Sequence, residues 1–317
     1  MKRPLIVALD GHPLNPGDLE WKPIEALGEL KVYPRSTPDE AVERAAGADI
    51  LIVNKVVIRE KELSALPDLK YVGITATGYN NIDTEAFKKH SVLASNVPDY
   101  GSFGVAQHAM ALLLSLSNRV YYHFQDVLEG KWFESGDFSY TSAPIIELAE
   151  KKIGLVGLGK IGYKMGVMAE SMGMYVGYYS RSARQSSWEF HEDLQSLLET
   201  SDVISLHVPL TEDTHEIINA RTLSMMKKGA ILVNTSRGQL INENDLLHAL
   251  ESRQIAGAGL DVLTEEPPAV DHPLVMARNC IVTPHNAWAS RESRQRIMDI
   301  LAGNIRSFLD GNPVNLV

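Results

Sequence analysis

Three residues in the second half of the chain have side chains whose chemistry can be named directly. Arg237 sits in NTSRG (234–238), Glu266 in LDVLTEEPP (260–268) and His285 in TPHNAWAS (283–290), each after an apolar run that reads as a strand. Arginine offers a planar fork that holds a carboxylate through two bonds. Histidine exchanges a proton near neutral pH, and a neighbouring carboxylate orients the ring and stabilises its charged form. In an open parallel sheet the carboxyl ends of the strands surround the ligand site, so residues this far apart in sequence can converge. Singly, each has an ordinary structural reading: a surface ion pair for Arg237, a solvated loop for Glu266, a strand-end cap for His285. The set of three, downstream of a nucleotide-binding pattern, favours the catalytic reading. Asp261 reads as a buried strand-end residue that sets local hydrogen bonding. His108, His123, His207, His215 and His248 show no short-range ligand spacing, so no metal site is expected.

That nucleotide pattern is GLGKIG, Gly157 to Gly162, directly after the apolar run IGLV. Gly157 permits a tight turn, Gly159 lets backbone approach a pyrophosphate, and Gly162 allows close helix packing. The helix start that follows offers unpaired N–H groups to phosphate. An NAD site places Asp or Glu about 20 residues further on, where it accepts bonds from the ribose hydroxyls. Here that place holds Ser180, Arg181 and Ser182, with Arg184 close behind. No carboxylate is present, and Arg181 suits a 2′-phosphate. NADP(H) is the expected cofactor, with NAD(H) as the alternative. Met165, Met168 and Met172 recur at helical spacing and are expected to pack this helix on the sheet.

The elements that must position these groups alternate. Residues 4–10, 49–53 and 71–76 are apolar strand candidates, with a helical stretch over 41–48. Residues 102–130 read as one long helix, capped by Ser102 and closed by Gly130. The strand pattern restarts at Lys151 and continues over 175–179, 203–208, 230–234, 256–262 and 280–285. Helical stretches lie around 190–199, 218–227 and 242–251, and a last helix spans about 289–309. The chain has 317 residues, enough for two domains, and its composition is that of a globular protein, 44% hydrophobic and 22% charged.

The net charge of −10 argues against a nonspecific nucleic-acid binder. Cys280 is the single cysteine, so neither an intrachain disulfide nor a CxxC site can form. The start MKRPLIVALDG reads as a first buried strand in preference to a signal peptide. No uncharged apolar stretch approaches the roughly 18 residues needed to span a bilayer. The expected location is the cytoplasm.

Taken with ATGYNNID (76–83), NVPDYGSFGVAQH (96–108) and LHVPLT (206–211), these motifs make the sequence resemble the D-isomer-specific 2-hydroxyacid dehydrogenases over nearly its whole length, nearest the glycerate dehydrogenase and hydroxypyruvate reductase branch. The resemblance implies hydride transfer between a nicotinamide and C2 of a small anionic 2-hydroxy or 2-keto acid. It assigns Arg237 to the substrate carboxylate and carbonyl, His285 to proton exchange and Glu266 as its carboxylate partner. Ala76, Thr77 and Gly78 would face the substrate carboxylate. Leu158, Gly159, Lys160 and Ile161 would line the pyrophosphate. His207, Val208, Pro209 and Thr235 would border the cofactor, and Asp261, on the acidic position of the family motif, joins that group. The family's members that use NAD usually carry aspartate where this chain has Ser180.

The implied architecture is α/β: a flavodoxin-like substrate domain from residues 1–99 and 286–317, and a Rossmann domain over 100–285, both with parallel sheets. A homodimer is implied, with the helix from Ser102 at its interface. The other readings are phosphoglycerate or a larger 2-keto acid as substrate, or a dinucleotide-responsive binding or corepressor protein on the same fold.

Overall fold

Short runs of aliphatic and β-branched residues become the strands of two all-parallel sheets. The computed structural model describes residues 3–317. They divide into two compact units: the chain up to Gly101 together with Trp288–Val317, and Ser102–Ala287.

The first unit contains β1 (Leu5–Ala8), β2 (Glu29–Val32), β3 (Ile50–Val53), β4 (Tyr71–Ile74) and β5 (Leu93–Ser95). They are ordered β2-β1-β3-β4-β5, the flavodoxin-like arrangement. β3 and β4 are buried throughout, as expected of strands covered on both faces. β2 and β5 lie at the edges. β2 (ELKV) is short, charged and mostly exposed, which blunts an edge against unwanted pairing and removes the apolar signal that would mark it as a strand.

Helix Arg291–Leu309 covers one face of this sheet. Ile297, Met298, Leu301 and Ile305 are fully buried against Ile6, Ile50, Ile52 and Tyr71. Gly73 makes room for it: a Cβ there would lie 2.5 Å from Leu301 Cδ1. The helix is also fastened by Arg294, which is 7% exposed. Its guanidinium donates to both Asp18 oxygens at 2.6 Å and to the Leu14 carbonyl at 3.3 Å.

The second unit contains β6 (Lys152–Val156), β7 (Tyr175–Tyr179), β8 (Glu189–His191), β9 (Val203–Leu206), β10 (Ala230–Asn234), β11 (Ile255–Leu260) and β12 (Cys280–Val282). Their order is β12-β11-β10-β9-β6-β7-β8. The strand order reverses between β6 and β9, the switch point at which open α/β sheets bind ligands. Helix Ser102–Asn118 packs on this sheet through Ala106, Ala109, Leu112, Leu113 and Leu116. Met165 is fully buried and Met168 packs beside it, while Met172 is 37% exposed at the helix end. No helix among the described residues is long and apolar enough to cross a membrane.

Two sequence expectations are corrected here. Residues 102–130 are not one helix: Ser102–Asn118 stops at Arg119, whose φ of 54° is left-handed, and Val120–Leu128 then begins. Ser117 and Asn118 both turn their side chains back to the Leu114 carbonyl, and the Ser117 carbonyl accepts the N–H of Ile146, so the helical ladder ends there. The helix placed around 190–199 starts only at Leu194. Its front residues pair with β7 as β8, and Asp193 caps the helix through the Ser196 N–H at 2.7 Å.

The Gly73–Leu301 contact predicts a compensating pair. Leu301→Ala opens a cavity and should destabilise by about 2–5 kcal/mol, and Gly73→Ala overpacks by about 1–3 kcal/mol. The double variant should lose clearly less than the sum in urea unfolding. Additivity within about 0.5 kcal/mol would show the contact is not made. A second expectation concerns acid. Arg294 holds the Asp18 carboxyl below its ordinary 3.8, so this stabilisation is complete above that value and is lost as pH falls through the lower folded one. Urea midpoints measured from pH 5 downward should therefore fall more steeply in wild type than in Asp18→Asn; parallel curves would remove the pair from the account.

Candidate active site

The site in the second unit is built where β10, β11 and β12 end side by side. His285 follows β12 and adopts a left-handed φ of 49°, a strained conformation for a residue with a Cβ. Its N–H is held by two carbonyls, those of Asp261 and Thr283, each at 2.9 Å. Asp261, 1% exposed, braces the turn with its carboxylate. One oxygen accepts from Thr283 Oγ1 at 2.6 Å and the Asn286 N–H at 3.0 Å, and the other from the Ala287 N–H at 2.9 Å. Because Thr283 gives its single hydroxyl proton to Asp261, its oxygen accepts from His108 Nε2, 2.9 Å away on helix Ser102–Asn118. Asp261 thus proves to be a brace for the His285 turn, turned inward from solvent.

The imidazole itself is fixed by Glu266. His285 Nδ1 donates to Glu266 Oε2 at 2.6 Å, and Glu266 Oε1 accepts the Leu263 N–H at 3.0 Å. Both side chains are about one-third exposed, at 31% and 33%. A carboxylate on Nδ1–H leaves Nε2 as the ring nitrogen that gains and loses a proton.

Arg237 stands on a turn that other residues immobilise. Asn234, fully buried at the end of β10, accepts the Ser236 N–H at 2.9 Å and donates to the Arg237 carbonyl at 2.8 Å. Ser236 Oγ donates to the Leu206 carbonyl at 2.9 Å. Gly238 is pressed on the Leu263–Thr264 peptide, and a Cβ there would lie 2.0 Å from the Leu263 carbonyl carbon. The Arg237 guanidinium is exposed, donates to the Ser236 carbonyl at 2.6 Å and pairs with no carboxylate among the described residues. An exposed guanidinium of this kind is chemically able to hold a carboxylate.

The glycine loop lies at the switch point, after β6. Gly157 has φ 99°, and a Cβ on it would meet the His207 carbonyl at 2.5 Å; one on Gly162 would meet the Gly157 carbonyl at 2.2 Å. A Cβ on Gly159 would meet nothing within 4 Å. Two glycines therefore close the turn, and the third faces open space at the start of helix Lys160–Ser171, whose first turn carries no acid. Leu158 is buried; Lys160 and Ile161 open the helix. These features fit a dinucleotide pyrophosphate. Two orphaned polar atoms, His207 Nδ1 and Thr235 Oγ1, are buried at the ends of β9 and β10 with no partner among the described residues. Val208 and Pro209 continue from His207. Burial pushes the His207 imidazole down to about 4, so it carries no charge near neutral pH.

After β7 the loop is closed on itself. Ser180 Oγ donates to the Ser182 carbonyl at 2.6 Å. The buried Tyr178 hydroxyl accepts the Arg184 N–H at 2.9 Å and donates to its carbonyl at 3.1 Å. Arg181 is exposed and makes no ion pair among the described residues.

In the first unit, Ala76, Thr77 and Gly78 follow β4. Asn96 Nδ2 holds the Thr77 carbonyl at 2.8 Å and the Val97 N–H the Ala76 carbonyl at 3.0 Å. The N–H groups of all three loop residues have no acceptor among the described residues. Sequence reasoning missed His108 as a support; its motif was on view, but nothing local pairs it with Thr283, 175 positions away.

Comparison with known proteins identifies the family. The D-isomer specific 2-hydroxyacid dehydrogenase NAD-binding domain matches residues 110–287. A hydroxypyruvate reductase from Blautia hydrogenotrophica is 44% identical, covering 98% of this chain and 99% of the relative. A glycerate dehydrogenase from Methylorubrum extorquens is 40% identical, over 91% and 92%. Among solved structures, an NADPH-dependent glyoxylate/hydroxypyruvate reductase from Sinorhizobium meliloti, in complex with NADP and malonate, superposes with a TM-score of 0.83 at 26% identity, covering 100% of this chain and 97% of that one. The chain belongs to the D-isomer specific 2-hydroxyacid dehydrogenase family, on the branch of its hydroxypyruvate reductase and glycerate dehydrogenase relatives.

Proposed function

We propose that this oxidoreductase of D-2-hydroxy acids interconverts glycerate with hydroxypyruvate and glycolate with glyoxylate, and prefers NADP(H) to NAD(H). The observation that carries the chemistry is the 2.6 Å bond from His285 Nδ1 to Glu266, on the same sheet end as an Arg237 that pairs with no carboxylate among the described residues. The names of the relatives support the substrate class.

The nicotinamide, when bound, supplies or accepts the hydride at C2. Arg237 holds the substrate carboxylate and orients the carbonyl. His285 Nε2 gives the proton that the C2 oxygen gains on reduction and takes it back on oxidation. Glu266 keeps the ring in the useful tautomer and orientation. The unengaged N–H groups of Ala76, Thr77 and Gly78 suit an anionic substrate group. Gly157 to Gly162, His207, Val208, Pro209 and Thr235 hold the dinucleotide.

A cytoplasmic homodimer is part of the proposal. Val120, Tyr121, Phe124, Leu128, Phe133 and Phe138 are each more than half exposed, an apolar surface of the kind partner subunits cover. The one cysteine, Cys280, is buried.

Replacing His285 with Ala should lower kcat by about 10²- to 10⁴-fold, while the dinucleotide Kd measured by fluorescence stays unchanged. Glu266→Gln should lower kcat less, again with unchanged dinucleotide binding. Wild-type turnover in His285→Ala across the pH profile would remove its assigned role.

The cofactor preference rests on Arg181, an exposed cation with no ion pair among the described residues, since Ser180 directs its proton into the loop. A charge-assisted bond contributes about 1.5–3 kcal/mol, so kcat/KM should favour NADPH by about tenfold or more. Ser180→Asp with Arg181→Ala should move the ratio toward NADH. A wild type that favours NADH, with the double variant unchanged, would overturn the phosphate reading.

A further inference from the structure

We propose that Gln239 and Glu243 are positioning residues for the proton-transfer pair, acting through the peptides on either side of Thr264. The inference rests on the His285–Glu266 reading above and extends it to residues outside the substrate and cofactor contacts proposed there.

Glu266 lies on an exposed loop after β11, and a carboxylate on such a loop needs outside support to stay within bonding distance of a ring. One tie of its carboxylate to the loop is the Leu263 N–H at 3.0 Å. The next two peptide groups are gripped from opposite sides. Glu243 Oε1 accepts the Thr264 N–H at 2.7 Å, and Gln239 Nε2 donates to the Thr264 carbonyl at 3.0 Å. Only Glu265 then separates the clamped residue from Glu266.

Glu243 is itself oriented. It opens helix Glu243–Glu251, and its second oxygen, Oε2, accepts from His272 Nε2 at 3.3 Å. His272 Nδ1 is buried without a partner among the described residues, which places the ring proton on Nε2. His272 lies at the far end of the 263–272 segment, so a single carboxylate ties both ends of it. Gln239 stands two residues after Arg237, and Gly238 between them packs directly on the Leu263–Thr264 peptide. The stretch that presents the substrate-binding guanidinium is therefore the stretch that holds the Glu266 loop. Gln239 and Glu243 set the spacing of the proton pair relative to Arg237.

The test measures kcat, hydroxypyruvate KM and dinucleotide Kd in Glu243→Ala, Glu243→Gln, Gln239→Ala and Glu266→Gln, and in the Glu243→Ala/Glu266→Gln double variant. Misplacing a reacting group lowers turnover by about tenfold to a hundredfold, and that loss in kcat is expected for Glu243→Ala with KM and Kd unchanged. Glu243→Gln retains an acceptor for the Thr264 N–H and should restore most of it. In the Glu266→Gln background, Glu243→Ala should cost nothing further, because the group it positions is already gone. Should Glu243→Ala fail to fold, Gln239→Ala is put through the same comparison with Glu266→Gln. If Glu266→Gln is slow while Glu243→Ala and Gln239→Ala turn over like wild type, the positioning role is overturned and the proton pair stands. An equal loss with and without Glu266, or no rescue by Gln, also overturns it. If Glu266→Gln keeps wild-type kcat, the pair itself falls, and this inference with it.

Discussion

The site depends first on one buried carboxylate. Asp261 directly follows β11, with both side-chain oxygens accepting donors from the segment after β12, while its carbonyl accepts the His285 N–H. Removing a carboxylate from water is unfavourable unless donors replace the lost hydration, and a hydroxyl and two backbone amides do so here. Those donors are available only when the chain after Val282 turns sharply, which sets His285 in its left-handed conformation. The strain at His285 and the satisfaction of Asp261 are one arrangement, and the imidazole points where the turn leaves it.

Around that brace, rigid and adaptable parts are divided by chemistry. The turns after β10 and β12 are fixed by fully or nearly buried groups, Asn234 and Asp261, and they carry Arg237 and His285. The charged tips, Arg237 and Arg181, remain exposed and pair with no carboxylate of the described chain. An acidic protein can bind anionic ligands in this way, because a local cation outweighs a diffuse net charge within a screening length. His207 shows the converse: burial keeps it uncharged beside the glycine loop, so it neither adds to nor competes with those cations.

The two sheets solve the same packing problem with the same device. Where a helix must lie close to a strand, a glycine on the strand faces a leucine on the helix. Gly73 meets Leu301 in one unit, and Gly259 meets Leu112 in the other, where a Cβ would lie 2.9 Å from the leucine Cβ. The missing side chains are what let apolar helices bury their leucines against strands already filled on both faces.

The sequence by itself determined whatever depends on a few adjacent residues. GLGKIG specifies its turn through steric requirements met by glycine alone at Gly157 and Gly162, and the buried central strands announce themselves as continuous β-branched runs. Arg237, Glu266 and His285 could be picked out because residue type carries their chemistry. Tertiary structure decided what depends on partners distant in sequence. The polar edge strands β2 and β8 are strands only because a neighbour pairs with them. The helix break at Arg119 depends on Ile146 capturing the Ser117 carbonyl, which no local propensity encodes. The supports of the site, His108 under Thr283 and Gln239 and Glu243 about Thr264, are ordinary polar residues in sequence. They acquire a role because a hydrogen bond is specified by position in space, and folding alone brings donor and acceptor within 3 Å of each other.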